Sequence, residues 1–164
     1  TIVSFFDLKL TPNDTFLDLG CGPGYVVRLI QHKVKQYIGV DFSEEMISLA
    51  VRRNKSDNVS FVLNDGKTIP IETGSADVAI SELMFLHVLE RQDGRARAEN
   101  YFCELFRVLK ENGRLCIQVP RRSRYGYGYD RNDADLLRFF TPEEIIEINE
   151  GCYYLVKNVE RTRR

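Results

Sequence analysis

A chain of 164 residues, 43% of them hydrophobic and 29% charged, has the length and balance of one globular domain, residues 1–164, with a sizeable core. Its formal charge of −1 excludes a surface tuned throughout to nucleic acid, and neither a roughly 20-residue apolar run nor a secretory signal pattern is present. The four cysteines, Cys21, Cys103, Cys116 and Cys152, form no Cys-x-x-Cys pair, so no metal site is indicated and reduced thiols in a cytoplasmic protein are the expectation.

From the N-terminus, Thr15–Leu19 reads as a short buried strand, followed by glycines at 20, 22 and 24. An amphipathic helical stretch then runs from Tyr25 to about His32, and Gln36–Val40 reads as a second strand. In "DFSEEMISLAVRRN" Ser43 can cap a helix whose first turn holds Glu44 and Glu45, where negative charge suits the helix dipole. Val59–Leu63 and Ala76–Ser81 are the third and fourth strands. Ala98, Tyr101, Phe102, Leu105 and Leu109 share one face of a helix over Arg95–Lys110, which Asn112-Gly113 closes. Gly113–Val119 is the fifth strand. "TPEEIIEI" offers a capping box, Thr141 with Glu144 and Pro142 between, to open a further helix, and "CYYLVKNVE" is a sixth strand.

Strands alternating with helices predict an α/β fold: a Rossmann-like, doubly wound, mostly parallel sheet with helices on both faces. Ligands of such sheets sit at the carboxyl ends of the strands, where the glycine turn falls. Two phosphate readings of that turn fail. A dinucleotide site wants Gly-x-Gly-x-x-Gly, and Tyr25 stands where the third glycine belongs. A P-loop ends in Gly-Lys-Ser/Thr, which is absent.

"FLDLGCGPGYVV" instead resembles motif I of the class I S-adenosylmethionine-dependent methyltransferases, an acidic residue followed by Gly-x-Gly-x-Gly. Asp18, Gly20, Gly22 and Gly24 match it in order, with Cys21 contributing backbone. The resemblance continues to about Val119 and implies S-adenosylmethionine as cofactor and S-adenosylhomocysteine as product. By it, Asp18 organises the site around the cofactor ammonium and Asp41 accepts from the ribose hydroxyls. Phe42 and Met46 give the adenine an apolar face, and Asp65, beside Gly66, accepts from its amino group. Ser81 to Leu83 leave the fourth strand toward the cofactor. The implied reaction is in-line methyl transfer, in which positioning supplies much of the rate.

Glu82 and His87 are the candidate catalytic pair, able to take a proton from an acceptor. The plainer alternative makes His87 a packed helix residue, since Phe85, Leu86, Val88 and Leu89 surround it. The segment Arg121–Asp133, rich in arginine, tyrosine and glycine, reads as a substrate-holding loop, a lid or a solvated connection. A small-molecule acceptor leads. RNA or protein methylation is the rival, and a scaffold without turnover the non-enzyme alternative. No membrane partner is expected, and oligomeric state is left open. Two departures from the family pattern stand out: little chain precedes motif I, and the seventh, antiparallel strand is not evident, as in a fragment or an abbreviated member.

Overall fold

The computed structural model describes residues 8–122, 127–149 and 151–159. Seven strands form one sheet in the order β3-β2-β1-β4-β5-β7-β6. The central strands are β1 (Thr15–Leu19), β2 (Gln36–Asp41), β3 (Val59–Leu63), β4 (Ala76–Ser81) and β5 (Leu109–Pro120), all parallel. The helices are α1 (Val27–Ile30), α2 (Glu44–Arg53), α3 (Met84–Leu89), α4 (Gly94–Val108) and α5 (Ala134–Leu137). Strand order reverses between β1 and β4, so the carboxyl end of β1 is the switch point where doubly wound sheets place ligands.

Period-two alternation divides the core. Leu17, Ala79, Leu115 and Ile117 face α3 and α4, packing against Phe85, Ala98, Phe102 and Leu105. Phe16, Tyr37, Val78, Ile80 and Cys116 face the other way, under Val27 and Ile30 of α1. Helices therefore cover both faces, as the strand–helix alternation predicts. Among the described residues no helix is long and apolar enough to cross a membrane.

The C-terminal third departs from the expectations in three ways. α4 ends at Val108, and Asn112-Gly113 lies inside the twelve-residue β5 rather than capping the helix. Leu109 is fully buried and pairs with Ala76, so tertiary pairing overrides the helical pattern. Asn112 does take the left-handed conformation (φ 63°), but next to a register shift between Ala76 and Val78. A Cβ at Gly113 would stand 2.9 Å from the Lys110 carbonyl oxygen.

Secondly, the capping box at Thr141 and Glu144 forms, yet only a 3-10 turn (Pro142–Glu144) follows it. The next residues are β6 (Ile145–Asn149), because Ile145 and Ile146 suit an edge strand and pair with Leu155 and Tyr154 of β7 (Cys152–Val159). Thirdly, β6 brings the sheet to seven strands, and β7, the segment read as the sixth strand, is the antiparallel strand that was not evident from the sequence. Strand β7 inserts antiparallel between β5 and β6, with Gly113 opposite Val159 and Pro120 opposite Cys152. The Tyr25–His32 stretch is helical only over Val27–Ile30, after which Lys33 N–H turns back to the Ile30 carbonyl and leaves His32 exposed.

Candidate cofactor and acceptor site

The glycine turn is pinned to the neighbouring strand by its backbone. Gly20 and Cys21 N–H groups both donate to the Val40 carbonyl, at 2.7 and 3.1 Å, and Gly24 N–H donates to the Cys21 carbonyl at 3.0 Å. All three motif glycines have positive φ. Packing demands Gly20, where a Cβ would lie 2.5 Å from Met84 Cβ; a Cβ at Gly24 would lie 2.6 Å from Asn54 Nδ2, the end of a side chain that bonds the Ala50 carbonyl. Gly22 differs, because a Cβ there would meet nothing within 4 Å. Its open side belongs to a cleft of about 490 Å3 lined by the turn, Asp41 to Ser43, Met46, Glu82 to Met84 and His87.

Asp41 ties the turn to the end of β2. Its Oδ2 accepts from Gly22 N–H and its Oδ1 from Ser43 N–H, both at 2.9 Å. A carboxylate has about four lone-pair sites, so each oxygen keeps capacity for a ligand hydroxyl. Ser43 in turn caps α2 through its hydroxyl and Met46 N–H, which sets Met46 against the cleft.

Asp18 is 2% exposed at the cleft floor and accepts from the Tyr37 hydroxyl. Burial raises its carboxyl to about 7, against the lowering effect of that hydrogen bond, and the charges of Glu82 and Asp41 add to the rise. Burial likewise pushes the Cys21 thiol far above its ordinary range, so it is neutral and inert.

A second, smaller cavity of about 190 Å3 adjoins the first, sharing Phe42 and His87. Asn64, Asp65, Gly66, Val88, Arg91, Arg97 and Tyr101 line the rest of it. Asp65 Oδ1 accepts from Lys67 and Thr68 N–H at 2.8 and 2.7 Å, which holds its exposed carboxyl below the usual range. Arg91 stacks over the Phe42 ring at 5.5 Å, and Arg97 pairs with Asp93 at 2.7 Å.

A third cavity, of about 280 Å3, meets the main cleft at Leu83 and is lined also by Leu86, Gln118, Pro120, Gly151 and Cys152. Leu83 holds a left-handed conformation (φ 65°), unusual for a bulky side chain. Gln118 braces it: its Oε1 accepts from Leu83 N–H at 3.1 Å, while its Nε2 faces Cys152 and Tyr154. Such stored strain accompanies functional positions.

Of the residues singled out in the sequence, Asp18, Gly20, Cys21, Gly22, Asp41, Phe42, Met46, Glu82, Leu83 and His87 line the main cleft, and Asp65 and Gly66 the adjoining cavity. Gly24 lies behind the turn, where it meets Asn54 and Phe61. Ser81 is fully buried, its hydroxyl has no partner among the described residues, and it is not among the residues of the cleft wall. The packed alternative for His87 does not describe its side chain, which is 69% exposed and 4.0 Å from Glu90, because the buried face of α3 is Met84, Phe85, Val88 and Leu89. Tyr37, Tyr101 and Gln118 escaped the sequence reading, since each joins the site through contacts distant in the chain, and Asn64 was passed over beside Asp65.

Where it is described, the Arg121–Asp133 segment is tied both to itself and to β6 and α4. Arg121 pairs with Glu147, and Arg122 with Asp130 and Asp133 at 3.0 and 2.9 Å. Arg95 of α4 bonds Asp133, Asp135 and the Gly128 carbonyl and lies 4.2 Å over the buried Tyr129 ring. Arg124 and Tyr125 fall outside the described residues.

A doubly wound sheet with its cleft at the β1/β4 switch point, rimmed by a glycine turn, defines a Rossmann-like cofactor-binding fold. The chain belongs to the Methyltransferase domain family, which matches residues 17–117. It is 34% identical over 114 residues to an arsenite methyltransferase of Halobacterium salinarum, covering 66% of this chain and 27% of that protein. It is 28% identical over 135 residues to a malonyl-[acyl-carrier protein] O-methyltransferase of a Marinomonas species, covering 77% and 47%. The chain thus spans between about a quarter and a half of these relatives. A solved Listeria monocytogenes structure, described as an S-adenosylmethionine-dependent methyltransferase, is 29% identical with a TM-score of 0.54, covering 65% of this chain and 46% of that one. A Methanococcus maripaludis structure with 20% identity has the same fold throughout, with a TM-score of 0.69 over 99% of this chain and 83% of that one.

Proposed function

We propose that this chain is a cytoplasmic methyltransferase domain, a single unit over 1–164, that uses S-adenosylmethionine on a small-molecule acceptor. One observation carries the cofactor: three carboxylates, Asp18, Asp41 and Glu82, line the main cleft, and among the described residues no lysine or arginine does. Such a lining attracts a ligand bearing ammonium and sulfonium charges and repels a pyrophosphate. The open side of Gly22 gives a ligand close approach to backbone.

When bound, S-adenosylmethionine supplies an electrophilic methyl group on a sulfonium. Asp41 holds the ribose hydroxyls with its remaining lone pairs, Asp18 meets the ammonium, and Phe42 and Met46 give the adenine an apolar face. Asp65, beside Gly66, accepts from the adenine amino group in the adjoining cavity. Leu83 forms the partition between cofactor and acceptor, and the 280 Å3 cavity behind it has room for a compact acceptor. Glu82 and His87 stand at the cleft wall to receive a proton from that acceptor. The relatives' differing acceptors leave the acceptor atom open. The pairing of Arg121 with Glu147 and of Arg122 with Asp130 and Asp133 favours a small molecule over RNA.

Transfer of labelled methyl to pools of metabolites, RNA and protein tests this reading, with label expected in the metabolite pool. Label confined to RNA would move the assignment to the rival substrate class. Replacing Glu82 and His87 together by Ala should slow transfer about 100-fold if they move the proton. Turnover within a few-fold of the parent would remove them from the chemistry.

A further inference from the structure

Tyr37 lies in the core, yet its phenol reaches the cleft floor. Phe16 and Tyr37 are direct partners in the β1–β2 register, so Tyr37 shares the sheet face of Asp18, two residues beyond Phe16. The ring is fixed by Phe16, stacked at 5.7 Å, and by Phe61, edge-on at 6.2 Å. Its hydroxyl donates to Asp18 Oδ2, and both side chains are buried. Gly39, directly across from Asp18, brings no side chain between them.

Resting on the cofactor reading above, we infer that Tyr37 is a positioning residue for cofactor capture: its phenol holds one oxygen of the Asp18 carboxylate and favours the form of that group that meets a cationic ligand in the cleft. The groups facing Asp18 otherwise oppose its charge. Asp41 at the end of β2 and Glu82 after β4 are like charges, and Cys21 in the glycine turn is a neutral thiol. Burial opposes it further, and the Tyr37 hydroxyl alone among these neighbours favours the ionised form. Near neutral pH the carboxyl stands at its titration point, so loss of one hydrogen bond decides whether a cationic ligand meets a charge or a neutral acid.

The direction follows from linkage. A bound ammonium favours ionised Asp18, so below pH 7 each ligand must displace a proton and affinity falls up to tenfold per pH unit. Tyr37→Phe keeps the ring and moves the midpoint upward by about one pH unit, a roughly fivefold loss of affinity at pH 7 that approaches tenfold at pH 6 and is largely recovered near pH 8.5.

Two measurements test this. A 13C carboxyl titration of the ligand-free protein reads Asp18 without any ligand. Calorimetry with S-adenosylhomocysteine from pH 5.5 to 8.5 reads capture, and Asp18→Asn supplies the baseline for titration of the ligand itself. The expected result is a higher midpoint in Tyr37→Phe by both methods and a flat profile in Asp18→Asn. Equal carboxyl midpoints, or a loss of affinity uniform across pH, would overturn the inference by making Tyr37 merely structural. A shifted carboxyl midpoint with no ligand bound by the parent at any pH would instead sink the cofactor reading, and the capture role with it.

Discussion

Asp41→Ala should weaken S-adenosylhomocysteine binding about 100-fold while leaving the sheet folded. Two ligand hydroxyls on one carboxylate are hydrogen bonds to a charged group, worth about 1.5–3 kcal/mol each. Part of that loss is shared with the turn, because the same carboxylate holds Gly22 and Ser43 N–H. Asp41→Asn keeps one acceptor oxygen and should fall between, at about tenfold. Calorimetry at fixed pH, beside a thermal melt, separates the two losses. Affinity within threefold of the parent for Asp41→Ala would detach this residue from the ligand.

The motif glycines make the second contrast. Gly20→Ala forces a methyl to 2.5 Å from Met84 Cβ in a backbone with φ 79°. Left-handed strain of about 1–2 kcal/mol and overpacking of about 1–3 kcal/mol add, so the melting temperature should fall by roughly 10 °C. Gly22→Ala carries only the strain, a drop of about 3–5 °C, because its methyl meets nothing. That methyl stands in the cleft wall, however, so Gly22→Ala should cost at least tenfold in cofactor affinity. One glycine answers to packing and the other to ligand. Equal melting losses for the two variants would contradict this division.

The sheet centre was legible because β1 to β4 are short apolar runs bounded by turn residues, whose local signal agrees with their final pairing. The glycine spacing, with Asp18 before it and Asp41 after the second strand, likewise pointed to the cleft. The C-terminal third was misread where local and distant signals conflict. The Thr141–Glu144 capping box is a local feature that a 3-10 turn satisfies as well as a helix does. Only the pairing of Ile145 with Leu155 makes the following residues a strand. Leu109 keeps helical spacing in sequence but is taken by Ala76 across the sheet.

The same distinction governs the site. Asp18 and Asp41 announce themselves by their distance from the glycine motif. Tyr37 does not, because its role depends on the register that sets it on the face of Asp18. Gln118 is 35 positions from Leu83, and nothing local marks it as the brace of a strained residue. Ser81 shows the converse: leaving a strand in the right direction does not turn a side chain outward, and this one is buried.

The most direct test is a calorimetric titration of this chain with S-adenosylmethionine and with NAD under identical conditions. A cleft lined by Asp18, Asp41 and Glu82, with no lysine or arginine among the described residues, predicts saturable binding of S-adenosylmethionine and none of NAD. Binding of NAD alone, or of neither ligand by protein that melts cooperatively, would contradict the assignment of this cleft to a cationic methyl donor.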